Sequence, residues 1–180
     1  MRPLLALFII FMEILGLSTL ISEEVERHTA HALLVTPTSV IDFFTAKSLA
    51  GIGIAFIQAV LFMAIVGGMN TQPVIILVAL LFGAALATGI SFLVSAQAKD
   101  FMSVLAWSVP ALVILVVPTF GVLFPGAVTG WIKIIPSYYL VDTIHRVANF
   151  GYGWEDIWLN LVILIGYTAV SYTHLRAHET

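Results

Sequence analysis

From Ser48 to Phe124 the chain carries no charged residue except Lys99 and Asp100, which sit side by side. A run of that length cannot be the interior of a small soluble domain. It must be divided by turns, and the turns can be read. Gly67-Gly68-Met69-Asn70-Thr71-Gln72-Pro73 is a Gly/Asn/Pro break, and Gln97-Ala98-Lys99-Asp100 is barely long enough to reverse the chain. A bilayer-spanning helix needs about 20 mostly apolar residues. Five stretches are therefore predicted to span or nearly span: Pro3–Ile21, Ser48–Met69, Pro73–Ala96, Phe101–Phe124 and Ile157 to about Ser171. The short turns make the three middle spans antiparallel neighbours. The fold class is all-α, a polytopic membrane helix bundle.

Composition supports this and narrows it. Charged residues make up 9% of the chain and hydrophobic ones 61%, against about 25% charged in soluble domains. Net charge is -3 with no basic block, so nucleic acid is not an expected partner. There is no cysteine, which excludes disulfides and thiolate metal sites. Charge does not set orientation. With the polar segment after the first span inside, Arg27, Lys47 and Lys99 balance Arg2, Lys133 and Arg146 outside.

Within the spans, Gly51, Gly53, Gly83, Ala84, Ala87 and Gly89 are small residues that let helices approach closely. Pro110 and Pro118 should kink the fourth span, since each removes a backbone hydrogen bond. Glu13 lies inside the first span, where an ionisable group is costly and often functional. It is a candidate for a translocation path, or for a pairing within the bundle. Gln58 is a second path candidate, though an interhelical hydrogen bond is the plainer reading.

The connection from Pro125 to Asp156 differs in character. Trp131, Tyr138 and Tyr139 alternate with Lys133, Asp142, His145 and Arg146, and Pro136 interrupts the run. Trp and Tyr favour the headgroup region, so two short interfacial or re-entrant helices are expected here. Phe150, Tyr152, Trp154 and Trp158 extend the same aromatic belt. Residues 171–180 break the pattern. They leave the last span only about 15 residues long, and they resemble a translated sequencing-adaptor tail. Residues 1–170 are accordingly read as the membrane domain, and 171–180 as foreign to it.

The most informative polar segment is Ser22–Lys47. Glu23, Glu24, Glu26 and Asp42 cluster there, and Glu23 and Arg27 stand i,i+4 in the favourable order. Leu33, Leu34 and Val35 form an apolar ridge, and Thr36-Pro37 ends the helix. Ser39 and Asp42 form a weak capping box that restarts it through Lys47. Helix, break, helix between two spans makes a rigid knuckle for a soluble partner. His28 and His31 with Glu24 lack zincin spacing and a third ligand, so solvated helix surface is the better account.

The pattern Glu26-Arg27-x-Thr29-x3-Leu33-Leu34-x-Thr36-Pro37, with Lys47 at the mouth of the next span, resembles the type-2 ABC exporter permease family. The resemblance extends to Pro125, Trp131, Pro136, Tyr139 and Arg146, which match that family's extracytoplasmic re-entrant hairpin. His28 stands where the family usually has Gly, and His31 where an acidic residue is common. The family also carries a further N-terminal span, so this chain is expected to be a fragment.

The resemblance implies a cytoplasmic coupling helix over the Glu26–Pro37 motif, contacting a separate ATP-hydrolysing subunit. It also implies a second permease subunit, as homo- or heterodimer, in an inner or plasma membrane. No Gly-x4-Gly-Lys-Ser/Thr motif is present, so ATP and Mg are expected on the partner and no cofactor on this chain. The competing reading is a non-transporting membrane anchor for a cytosolic partner. An intramembrane enzyme would need paired polar residues at one depth, and only Glu13 and Gln58 are deep.

Overall fold

A computed structural model describes residues 2–26, 40–98, 100–124 and 130–177. Among them are six α-helices: α1 (Arg2–Glu26), α2 (Val40–Ile65), α3 (Pro73–Gln97), α4 (Phe101–Leu123), α5 (Pro136–Phe150) and α6 (Trp154–Ala177), with a 3-10 turn at Gly130–Ile134 before α5. No strand occurs among the described residues. The protein is an all-α membrane helix bundle. Four helices contain stretches long and apolar enough to cross a bilayer: Thr45–Ile65, Pro73–Gln97, Phe101–Leu123 and Trp154–Thr173. The described apolar stretch of α1 is shorter, Met12–Ile21.

Helix α3 is the axis of the bundle. It packs against α1, α2, α4, α5 and α6, and its sequence explains why. Apolar or small residues occupy every face, so Ile75, Ile76, Ala79, Leu80, Ala84, Leu86 and Ala87 are all buried. A helix apolar all round belongs in the middle. The outer helices leave large side chains such as Ile57, Leu61, Val113, Ile114 and Val162 exposed, as a lipid-facing surface requires.

Close approach follows from the small residues. A Cβ on Gly51 would lie 2.8 Å from Leu17 Cδ2 and 3.3 Å from Thr88 Cγ2, so α1, α2 and α3 meet at this glycine. Gly83 and Gly89 likewise receive Leu140 of α5 and Ser171 of α6. Gly53 has nothing nearby, so its smallness is not used for packing within the bundle. Gly51→Leu is expected to destabilise the protein by about 2 kcal/mol through overpacking, with Gly53→Leu near neutral. Thermal unfolding of the two variants in the same detergent checks the contrast.

The α1–α3 seam is also polar. Ser18 Oγ donates to Ser91 O at 3.1 Å, and Ser95 Oγ donates to Ser18 O at 3.4 Å. Hydroxyls that bond across helices hold spans together where lipid offers no hydrophobic drive.

The helix ends differ from expectation in instructive ways. α2 stops at Ile65, short of Met69, because Gly67 takes a left-handed φ of 64°. Gly67 N–H then donates to Ala64 O, and Gly68 N–H to Met63 O, the two bonds of a Schellman cap. α4 runs from Phe101 to Leu123 with Pro110 and Pro118 inside it. Its start is fixed by a reciprocal cap in which the Asp100 carboxylate accepts from Ser103 N–H at 2.7 Å and Ser103 Oγ accepts from Asp100 N–H at 2.9 Å. The Ser103 backbone bond, with its hydroxyl, holds the Asp100 carboxyl below the usual range.

The last span corrects the sequence reading most clearly. It is 20 residues long and not about 15, because it starts at Trp154 and not at Ile157. Its helix, α6, begins at Trp154 and continues to Ala177, and the stretch apolar enough to cross a bilayer is Trp154–Thr173. Glu155 and Asp156 occupy its first turn, where acidic side chains complement the helix dipole. Near its far end, Ser171 and Thr173 return their hydroxyls to the carbonyls of Tyr167 and Val170. Tyr172 then donates to Ala85 O of α3 at 3.3 Å. Polar residues there extend the helix, because each finds a backbone acceptor.

Candidate functional site

The connection between α4 and α6 folds back into the bundle. Tyr167 Oη donates to Ile134 O at 2.5 Å. Tyr167 lies thirteen residues into α6, so the 3-10 turn sits roughly 20 Å along that helix from its start. At the head of α5, Ser137 Oγ donates to Leu115 O at 2.8 Å, in the stretch of α4 where Pro118 interrupts the ladder. Leu140 fills the space over Gly83. At the other end of α5, Val147 O accepts from Thr71 Oγ1 at 2.8 Å, in the turn between α2 and α3. The chain therefore descends to Pro136 and climbs back along α5, which makes it a re-entrant hairpin.

Local sequence builds this element. Pro136 does not merely interrupt the run; it occupies the first turn of α5, where its missing N–H costs nothing. Leu140, Val141, Ile144, Val147 and Ala148 recur at helical spacing and are buried. Gly151 closes the helix with φ 71° and donates its N–H to Val147 O. Of the residues singled out from sequence, Trp131, Pro136, Tyr139 and Arg146 all lie on this hairpin. Pro125 lies outside the described residues. Tyr139 packs edge-on against Tyr138 at 5.4 Å and tilted against Tyr167 at 6.4 Å. Trp131 is exposed.

Tyr167→Phe removes the hydroxyl that holds the hairpin tip and should cost about 1 kcal/mol. Faster hydrogen exchange confined to residues 130–134 is the expected signature.

Arg146 is engaged by Asp142, which the sequence analysis named in the same run without pairing the two. Its Nε lies 3.0 Å from Asp142 Oδ1 and 2.9 Å from Oδ2, one turn back on α5. Asn160 Nδ2 of α6 donates to Asp142 Oδ2 at 2.8 Å. The Asp142 side chain is 10% exposed and that of Arg146 43%. The Asp-x3-Arg spacing was visible in the sequence. Asn160, on another helix, was not.

The two path candidates are not brought together as a pair. Glu13 is 7% exposed near the middle of α1 and makes no hydrogen bond or ion pair with a described residue. Gln58 is exposed on α2 and makes no interhelical hydrogen bond to a described residue, contrary to its plainer reading. It lines an open groove with Phe8, Met12, Leu61, Phe62 and Ile65. Further polar capacity lies inside the bundle: the hydroxyls of Thr88, Ser108, Thr119 and Thr143 are buried without a partner among the described residues.

At the opposite end from the hairpin, α1 carries Glu23, Glu24 and Glu26 in its last turns. α2 opens with Asp42 and carries Lys47 further along. Arg27, Thr29, Leu33, Leu34, Thr36 and Pro37 lie outside the described residues. The ends of α1, α2, α3 and α4 at this side are the ends joined by residues 27–39 and by the Ala98–Asp100 turn.

A family model described as ABC-2 family transporter protein matches residues 2–173. The chain belongs to the ABC-2 transporter family. Comparison with curated proteins and with solved structures gives no match. The family match runs from the first turn of α1 to the third residue of the stretch from Ser171, and so takes in every span and the hairpin. As an ABC-2 family protein the chain is a multi-pass transmembrane permease component of an ABC transporter.

Proposed function

We propose that the protein is the permease subunit of an ATP-driven exporter. Two copies, or this chain and a related one, form the path, and two separate ATPase subunits hold ATP and Mg. The ATPase presses on the segment from Glu26 through Pro37, with Lys47 supporting it at the start of α2. The membrane is the inner or plasma membrane, with that segment on the cytoplasmic face and the re-entrant hairpin on the outer face.

The observation that carries this reading is the family match across the whole bundle. It joins an acidic helix end at Glu23–Glu26 to a hairpin buried at the opposite end. A charged, helix-forming connection between two lipid-embedded helices calls for an aqueous partner. The hairpin's hydrogen bonds to α4, α6 and the α2–α3 turn tie the outer end to the spans, so a push at one end has a packed route to the other.

The test is reconstitution with the cognate ATPase in proteoliposomes. Substrate-dependent stimulation of ATP hydrolysis, together with efflux, is expected. A complex that forms but shows neither would make the chain an anchor and remove the exporter reading.

A further inference from the structure

Arg146 sits in a polar, aromatic corner where α5 meets α6. Asp142, itself held by the Asn160 amide, fixes the guanidinium from within through its Nε, and the Tyr152 ring covers it from the side, its centroid 5.8 Å from Cζ. The terminal nitrogens have no partner among the described residues, and the side chain is 43% exposed. A guanidinium held rigid with its outer edge open matches a phosphate. Burial holds the pKa of neighbouring His145 below the usual histidine range, so Arg146 is the cation of this turn at neutral pH.

The rest of the surface argues against a simple anion. Glu155 and Asp156 are exposed in the first turn of α6, and Asp156 precedes Asn160 by one helical turn as Arg146 follows Asp142 by one, so the register of the Asn160–Asp142 bond brings this acidic turn to the level of the cation. Trp154 and Trp158 are exposed there as well, and such side chains settle at headgroup depth. A fixed guanidinium, an aromatic ring and two carboxylates form the complement of a zwitterion.

We propose that this corner, where α5 meets α6, is a headgroup site for a phospholipid bearing a primary ammonium. Its phosphate lies on the open edge of Arg146, and its ammonium on the Glu155–Asp156 turn. A primary ammonium donates hydrogen bonds to carboxylates, which a quaternary one cannot. Tyr152 and Trp154 add cation–π attraction. The site rests only on the membrane placement of the chain and not on the exporter mechanism.

The experiment uses the full chain in vesicles of equal phosphatidylethanolamine and phosphatidylglycerol. The protein is extracted in mild detergent and the retained lipids are counted by native mass spectrometry. Retention of phosphatidylethanolamine over phosphatidylglycerol by about fivefold is expected, the scale of one charge-assisted contact. Glu155→Gln with Asp156→Asn changes only exposed groups and should abolish or reverse that preference. Asp142→Asn with Arg146→Gln leaves no buried charge and should lose both lipids. Equal retention by the unaltered protein would overturn the proposal, as would a preference that survives Glu155→Gln/Asp156→Asn. Displacement of the lipid by millimolar inorganic phosphate would assign the site to a soluble anion and overturn it too.

Discussion

Arg146→Leu is expected to destabilise the protein by about 3 kcal/mol, at the lower end of the cost of stripping the partner from a buried charge. The reason lies in Asp142, whose side chain is 10% exposed and whose carboxylate is balanced only by Arg146 and the Asn160 amide among the described residues. Without the guanidinium, one neutral hydrogen bond is left to stabilise a negative charge between two helices. Solvent reaching the half-exposed Arg146 keeps the figure from the top of the range. Removing both charges, in Asp142→Asn with Arg146→Leu, should recover most of the loss, because the pair itself contributes little once desolvation is counted. Unfolding of the single and double variants in one detergent decides it. A double variant no better than the single would show that Arg146 acts through packing on Tyr152.

The second large effect concerns coupling. In the assembled transporter, Glu26→Lys with Arg27→Glu should reduce efflux at least tenfold while the ATPase continues to turn over and the protein still inserts. Glu26 is the last residue of α1, at the end opposite the re-entrant hairpin, and Arg27 follows it in sequence. Reversing two charges at the proposed ATPase contact would replace attraction with repulsion, at a cost of about 2–5 kcal/mol if the contact is desolvated. Net charge is unchanged, so a general electrostatic effect on insertion is not expected. Paired measurements of ATP hydrolysis and efflux test this, and undiminished efflux would remove these residues from the coupling contact.

Much of the architecture was legible because the bilayer imposes one length and one backbone solution. Pro73–Gln97 and Phe101–Leu123 could be read almost to the residue: apolar length marks the span, and Pro73 or the short Gln97–Asp100 reversal marks its start. The re-entrant hairpin was legible from Pro136 and the aromatic–charged alternation, since neither pattern suits a full span. The helix of the last span was read short because polarity was counted without backbone acceptors and because the acidic first turn at Glu155 and Asp156 was left outside it. Ser171 and Thr173 return their hydroxyls to the helix they extend, and Tyr172 reaches across to α3.

What composition and order determined by themselves was the all-helical membrane character of the chain, the antiparallel sequence of its three middle spans, and the charged break after the first helix. These follow from local rules: hydropathy, turn length and the restrictions of Gly and Pro. The tertiary structure alone decided that α3 is the axis, that Asn160 holds Asp142, that Ser18 meets Ser91 and Ser95, and that Gly51 is a contact while Gly53 is not. Each of these depends on the rotation of one helix against another. A membrane span apolar on every side leaves that rotation undetermined by pattern, and packing and a few hydroxyl and carboxylate bonds then select it.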